Sequence, residues 1–154
     1  MRFLYVLVSL LVIVSAIIYF GLKSVSVTFN SNDSASEWRE IEIKNEKFRL
    51  EVADSDVSRQ QGLSGRDDLP SNQGMLFIFD KPARYGFWMK GMKFPLDIIW
   101  LNKGEVIYIV ENAPPDNNYK PMVYNPTAEA DLVIELRAGE VSRLGLKIGD
   151  ILSF

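Results

Sequence analysis

From Phe3 to Leu22 the chain runs almost without interruption through apolar residues, with Ser9 as its one clearly polar member and Ser15 and Gly21 as small ones. About 20 apolar residues cross a bilayer as a helix, and this run has that length. A buried core helix is the competing reading, but the extreme terminal position and the missing polar face argue against it. Arg2 and the terminal amine precede the run and Lys23 follows it. That weak charge bias favours a cytoplasmic N-terminus. The segment therefore predicts an N-terminal membrane helix, with the rest of the chain held outside the cytoplasm, in the periplasm or at the cell surface. Two fates compete, a retained signal anchor and a cleaved signal peptide that would leave the domain secreted. Small-residue cleavage sites lie at Val14-Ser15-Ala16 and at Ser24-Val25-Ser26. The first strands Ile17 to Phe20 on the mature end and the second needs an overlong apolar region, so the anchor is favoured.

Residues 24–40 are rich in Ser, Asn and Asp and read as a flexible tether after the 1–23 segment. Residues 41–154 then form one globular domain, and roughly 115 residues suffice for a single core. Three Trp, six Tyr and nine Phe exclude a disordered tail. A formal net charge of −3 without a dense basic cluster argues against nucleic acid as a partner. Cys and His are both absent. That removes disulfides, thiol nucleophiles, His-dependent triads and the usual zinc sites, and no cofactor is implied.

Period-two patterning marks strands around Ile41–Ile43 and Phe48–Val52, with a turn at Lys44-Asn45-Glu46. Asp54 or Ser55 caps a short helix from about Asp56 through Gly62. Met75–Phe79 is apolar on both faces and reads as a central buried strand, followed by a loop over Lys81–Tyr85 and a short strand at Phe87–Met89. Leu96–Leu101 and Glu105–Val110 make a hairpin around Asn102-Lys103-Gly104. Glu111–Pro126 is a long loop with four prolines. Leu132–Leu136 is a strand, Glu140–Leu144 one helical turn, and Ile148–Phe154 a closing strand. The expected fold is mainly β: a single β-sandwich or partly open β-barrel with one or two short helices, preceded by the membrane helix.

One ordered set of residues is more specific. Arg59, Gly62-Leu63, Arg66 and Gly74-Met75-Leu76-Phe77 are followed by Phe87-Trp88-Met89-Lys90 and Pro95-Leu96-Asp97-Ile98-Ile99. Glu135-Leu136-Arg137-Ala138-Gly139 and Gly149-Asp150 complete the set. From about Phe48 to the C-terminus the chain resembles the domain of unknown function 192 family, a prokaryotic group whose members often carry a signal or anchor segment. The resemblance implies no settled activity. Ser64 stands where the family usually has Met, and Gly91-Met92 where it usually has Asn-Thr. If that polar pair touches a ligand in relatives, the chemistry differs here.

Three clusters are candidates for function. If the helix near Asp56 continues to Arg66, Arg59 and Arg66 share one face, and Asp97, set in an apolar strand, needs a partner. A buried Arg–Asp pair fixing helix to sheet is the structural explanation; an anion or polar-ligand site is the functional one. The aromatic cluster is Tyr85, Phe87, Trp88 and Trp100, with Tyr119 and Tyr124 on the long loop. Strand alternation opposes Trp88 to Phe87 and Met89, so Trp88 can line a pocket while its neighbours are buried. The sulfur cluster is Met75, Met89 and Met92, where thioethers could hold Cu(I) or Ag(I), against the commoner role of Met as core filler.

The leading expectation is a membrane-tethered, non-catalytic binding domain for a small polar or anionic ligand, a glycan or a surface protein. Arg59, Arg66, Trp88, Lys90 and Asp97 would line its site. The alternatives are a small hydrolase or lyase using Asp97, and a Cu(I) or Ag(I) binder through the three methionines.

Overall fold

The computed structural model describes residues 37–116 and 122–154. The apolar run Phe3–Leu22, nearly all of the 24–40 tether and Tyr119 lie outside the described residues. Among those described, no helix is long and apolar enough to cross a membrane.

Among the described residues there are eight strands and two short helices. β1 (Trp38–Ile43) and β2 (Glu46–Ala53) form the first hairpin. Lys44 and Asn45 turn it with φ of 51° and 66°, the two positive values that a twisted two-residue hairpin requires. β1 begins three residues inside the range read as tether. Helix α1 (Asp56–Gln61) is capped by Ser55, whose side chain accepts from the Ser58 amide while Ser58 returns the bond. β3 (Gln73–Ala83) runs parallel to β2, and a parallel neighbour needs a crossover connection, here residues 54–72 with α1 in it. β3 absorbs part of the expected Lys81–Tyr85 loop behind a register shift between Ile78 and Ala83. β4 (Phe87–Trp88) is two residues long, and β5 (Leu96–Asn102) and β6 (Glu105–Ala113) form the second hairpin. β7 (Val123–Tyr124) interrupts the predicted long loop by pairing with β4. β8 (Ala130–Arg137) and helix α2 (Glu140–Leu144) complete the set.

The main sheet has six strands in the order β1-β2-β3-β8-β5-β6, and β4 with β7 makes a small second sheet. β8 enters between β3 and β5 and is antiparallel to both. Both faces of this sheet are covered. On one, Ile43, Leu50, Leu76, Ile99 and Leu136 pack beneath Val141 and Leu146 of the α2 region and beneath Leu152. On the other, Met75, Phe77, Ile98, Trp100 and Val133 pack against Leu63, Leu69, Met89 and Met92 of the crossover and the β4 region. Two-sided burial explains why β3 and β5 read as continuous apolar runs. Gly74 has no room for a side chain: a Cβ there would meet the carbonyl oxygen of Glu135 on the neighbouring strand.

The mainly β expectation holds, but no closed barrel forms among the described residues: β1 and β6 remain edges. The closing strand at Ile148–Phe154 is also absent. Lys147–Asp150 is instead a turn, with the Asp150 amide donating to the Lys147 carbonyl and Gly149 at φ 92°. Beyond it only isolated bridges form, Ile151 to Glu105 on β6 and Ser153 to Glu42 on β1. One tail thus touches both edges of the sheet.

Asp97 fastens the first face. It is fully buried beside Leu136 in the β5–β8 register. Its Oδ2 accepts from the Val141 amide at 2.8 Å and its Oδ1 from the Asn112 amide at 2.8 Å. Gly139, the N-cap of α2, has no side chain to satisfy that helix's first amides. Asp97 does so from across the core, and it also holds Asn112, whose φ is 53°. Asp97→Asn turns one acceptor into a donor facing an amide. It is expected to lower the unfolding free energy by about 1–3 kcal/mol, read as a lower denaturant midpoint at unchanged m-value. An unchanged midpoint would mean that both amides find other partners.

Candidate functional site

The parallel step from β2 to β3 creates the cleft. It forces the chain over the second face of the sheet, so α1 and its exit loop stand opposite the β4 region with a gap between them. The gap is an open cleft of about 340 Å³, at the small end of the range for small-molecule sites. Phe77 and Phe79 of β3, Tyr85, Phe87 and Trp88 around β4, and Met92 form its apolar walls. Asp56, Arg59, Gln60, Gln61 and Ser64 line the α1 side, and Glu135 of β8 also faces it.

Arg59 occupies the place the sequence suggested but does different work. Helix α1 stops at Gln61, because Gly62 takes φ 51° and ψ −140°. Arg59 and Arg66 therefore do not share a helix face. The Arg59 Nη1 donates to the carbonyls of Asp54 at 2.6 Å and Ile78 at 2.8 Å, and Nη2 to the Asp56 carboxylate at 2.7 Å. Its guanidinium lies 5.2 Å from the Phe79 ring centroid. It clamps α1 to β3 and forms one wall of the cleft. Arg66 pairs instead with Glu51 at 2.6 Å. Lys90 is exposed and does not line the cleft, and its carbonyl accepts from the Ser64 hydroxyl.

The largest correction concerns Asp97. In the β5–β8 register it faces Leu136, whereas Ile98 faces Glu135. Alternation then puts Asp97 on the α2 face and Glu135 on the cleft face. Neither Arg59 nor Arg66 pairs with Asp97. Asp97 is fully buried and each of its oxygens accepts from a backbone amide. The sites read as joining Asp97 to Arg59, Arg66, Trp88 and Lys90, for binding or for acid–base chemistry, are not assembled.

Trp88 and Met89 divide as alternation predicts, but Phe87 is only half-buried and lines the cleft beside Trp88. Trp88 is 45 % exposed and lines the cleft, while Met89 is buried. Trp100 is fully buried and donates its indole N–H to the Tyr85 carbonyl at 2.8 Å. Phe87 packs edge-on to Phe77 and to Trp100, and Phe79 stacks on Tyr85 at 3.5 Å. Met75, Met89 and Met92 share the second core, and of the three only Met92 reaches the cleft. They pack among aromatic and aliphatic side chains, as gap-filling methionines do. Among the described residues no group of three acidic side chains is placed to hold a metal ion.

Glu135 is the residue that sequence reasoning passed over. It is 5 % exposed, lines the cleft and has no hydrogen-bond partner among the described residues. Burial pushes its carboxyl up to about 8, against a smaller opposing pull from the Arg66 charge. The signal was present: Glu135 interrupts the apolar strand Leu132–Leu136 just as Asp97 begins another.

A family model for DUF192, described as an uncharacterized ACR, matches residues 39–154. No curated protein matches the chain. Two solved structures are similar. One is a proposed transcription regulator from Sinorhizobium meliloti 1021, 30 % identical, with a TM-score of 0.67, covering 74 % of this chain and 89 % of the other. The second is a protein of unknown function from Novosphingobium aromaticivorans DSM 12444, 28 % identical, with a TM-score of 0.66, covering 75 % of this chain and 82 % of the other.

A carboxyl raised by folding holds its proton more tightly in the native state. Its contribution to stability is full below the unfolded value near 4.5 and is lost as pH rises to about 8. Glu135→Gln should therefore leave stability unchanged near pH 4. It should exceed the parent increasingly toward pH 8, by about 5 kcal/mol at most. Parallel denaturant titrations across that range measure it, and a constant difference between the two proteins would refute the shift.

Proposed function

We propose a function for a chain that belongs to the DUF192 family: its globular domain is a non-catalytic binding module that takes a small ligand in the aromatic cleft. The observation that carries this reading is Glu135, buried, aimed into the cleft and without a partner among the described residues. No side-chain polar atom among the described residues is both buried and unpartnered, so the Glu135 carboxyl oxygens open onto the cleft, where a ligand can reach them. Trp88 supplies the second half of the site, a large amphipathic surface at the mouth of a concave region. Recognition then rests on Trp88 and Glu135, with Arg59 as a wall, rather than on Arg66, Lys90 or Asp97.

A polar ligand fits this arrangement better than an anionic one. The guanidinium in the cleft is already engaged with Asp56 and two carbonyls, and the titratable group facing the ligand is a carboxyl. The chain's charge of −3 offers little attraction for phosphate backbones.

The site works outside the cytoplasm in this proposal, tethered through residues 24–37 to a membrane helix at Phe3–Leu22. The support is the length and unbroken apolarity of that run. Expressed in a Gram-negative host, the full chain should stay with membranes through an alkaline carbonate wash and be digested by protease added to spheroplasts. Protection from protease would overturn the placement.

Ligand-observed NMR with a fragment library, on the full chain in a neutral polyoxyethylene detergent, tests the cleft. Binders are expected to lose at least tenfold in affinity on Trp88→Ala, a loss of about 1.4 kcal/mol or more. No binders, or binders indifferent to both Trp88→Ala and Glu135→Leu, would overturn the binding function.

A further inference from the structure

We infer that the ligand is a neutral sugar ring, its apolar face laid on Trp88 and one of its hydroxyls bonded to the Glu135 carboxyl. This rests on the reading of the cleft as a ligand site and narrows it to one chemical class.

The aromatic walls make the first selection. An organic cation is recognised by several ring faces converging on it. Here the rings are largely engaged with one another. Phe79 has Tyr85 stacked at 3.5 Å and the Arg59 guanidinium 5.2 Å from its centroid. Phe87 is locked edge-on between Phe77 and Trp100. Among the described residues Trp88 has no stacking or cation partner, and it is the most exposed of the aromatic walls. One open platform suits a flat ring with an apolar face rather than a cage-bound cation.

Charge makes the second selection. Arg59 is compensated by Asp56, and Arg66 by Glu51. An anion would find no free guanidinium and would approach a buried carboxyl. A cation would enter beside Arg59 and within the field of Arg66. A neutral ligand avoids both costs. Burial favours the un-ionised form of Glu135, and a carboxylic acid both donates and accepts. That is the complement of a sugar hydroxyl, which also does both. Gln60 and Gln61 add uncharged amide groups along the same cleft.

The test is saturation-transfer NMR on the full chain in a polyoxyethylene detergent, which carries neither sugar nor charge. The probes are a panel of neutral methyl glycosides, tetramethylammonium and benzoate. Neutral glycosides are expected to bind, with the strongest transfer to the protons of one ring face. Trp88→Ala should weaken them at least tenfold. Glu135→Gln, which keeps a neutral donor and acceptor, should hold affinity within about threefold, whereas Glu135→Leu should lose it. An ammonium ligand would behave oppositely, since it needs the ionised carboxylate that Glu135→Gln removes. Trp88-dependent binding of tetramethylammonium or benzoate, with no glycoside bound, would overturn the sugar assignment and leave the cleft as a site. Failure of all three probe classes would overturn the sugar assignment too, and the fragment screen above then decides separately whether the cleft binds anything.

Discussion

A buried carboxyl satisfied from two sides holds this domain in register. Asp97 sits near the start of β5 with no exposure, where an unpartnered acid would be costly. Its two oxygens take the amides of Asn112 and Val141. Those bonds tie three separate stretches of chain to one point: β5, the end of β6 and the first turn of α2. Because α2 is anchored there, it roofs one face of the sheet with Val141 and leaves the other to the α1 crossover. The cleft lies on the second face, beneath the α1 crossover.

Asp97 and Glu135 show how strand alternation sends two buried acids to opposite faces of one sheet. They lie on adjacent strands, and Asp97 is opposite Leu136, the residue next to Glu135. Both are buried. One has a backbone donor for each oxygen; the other has none among the described residues and faces a cavity. A carboxyl held by two amides fixes the fold, whereas one that opens onto a cavity is accessible to whatever enters it. Burial raises the Glu135 carboxyl at that position.

Much of the local structure was legible because it depends on neighbours in sequence. The two hairpins, the Ser55 cap, the α2 turn and the exposure of Trp88 against Met89 follow from turn chemistry and alternation. What failed depends on partners far along the chain. The Arg59–Asp97 association looked sound while both were only charged residues beside apolar runs. It fails because β8, inserted between β3 and β5, sets which face each side chain meets. The end of α1 turned on a single positive φ at Gly62, which moved Arg66 off the helix and onto Glu51. The tail patterned like a strand, yet Asp150 folds back on Lys147 and bends it away. Arg59 and Trp88, which line the cleft, were singled out from the sequence, and Glu135 was identifiable by the same reasoning that singled out Asp97.

The insertion of β8 also governs the order in which the domain can be made. β3 leaves the ribosome more than 50 residues before the strand that must pair with it, and β5 about 30 before. The tail residues that bridge to β1 and β6 come last of all. Neither core can close during synthesis of the first hundred residues, because each draws side chains from β8. Pairings of such sequence separation make folding slow and leave apolar strands exposed meanwhile. The six-stranded sheet therefore cannot be completed until β8 has been made.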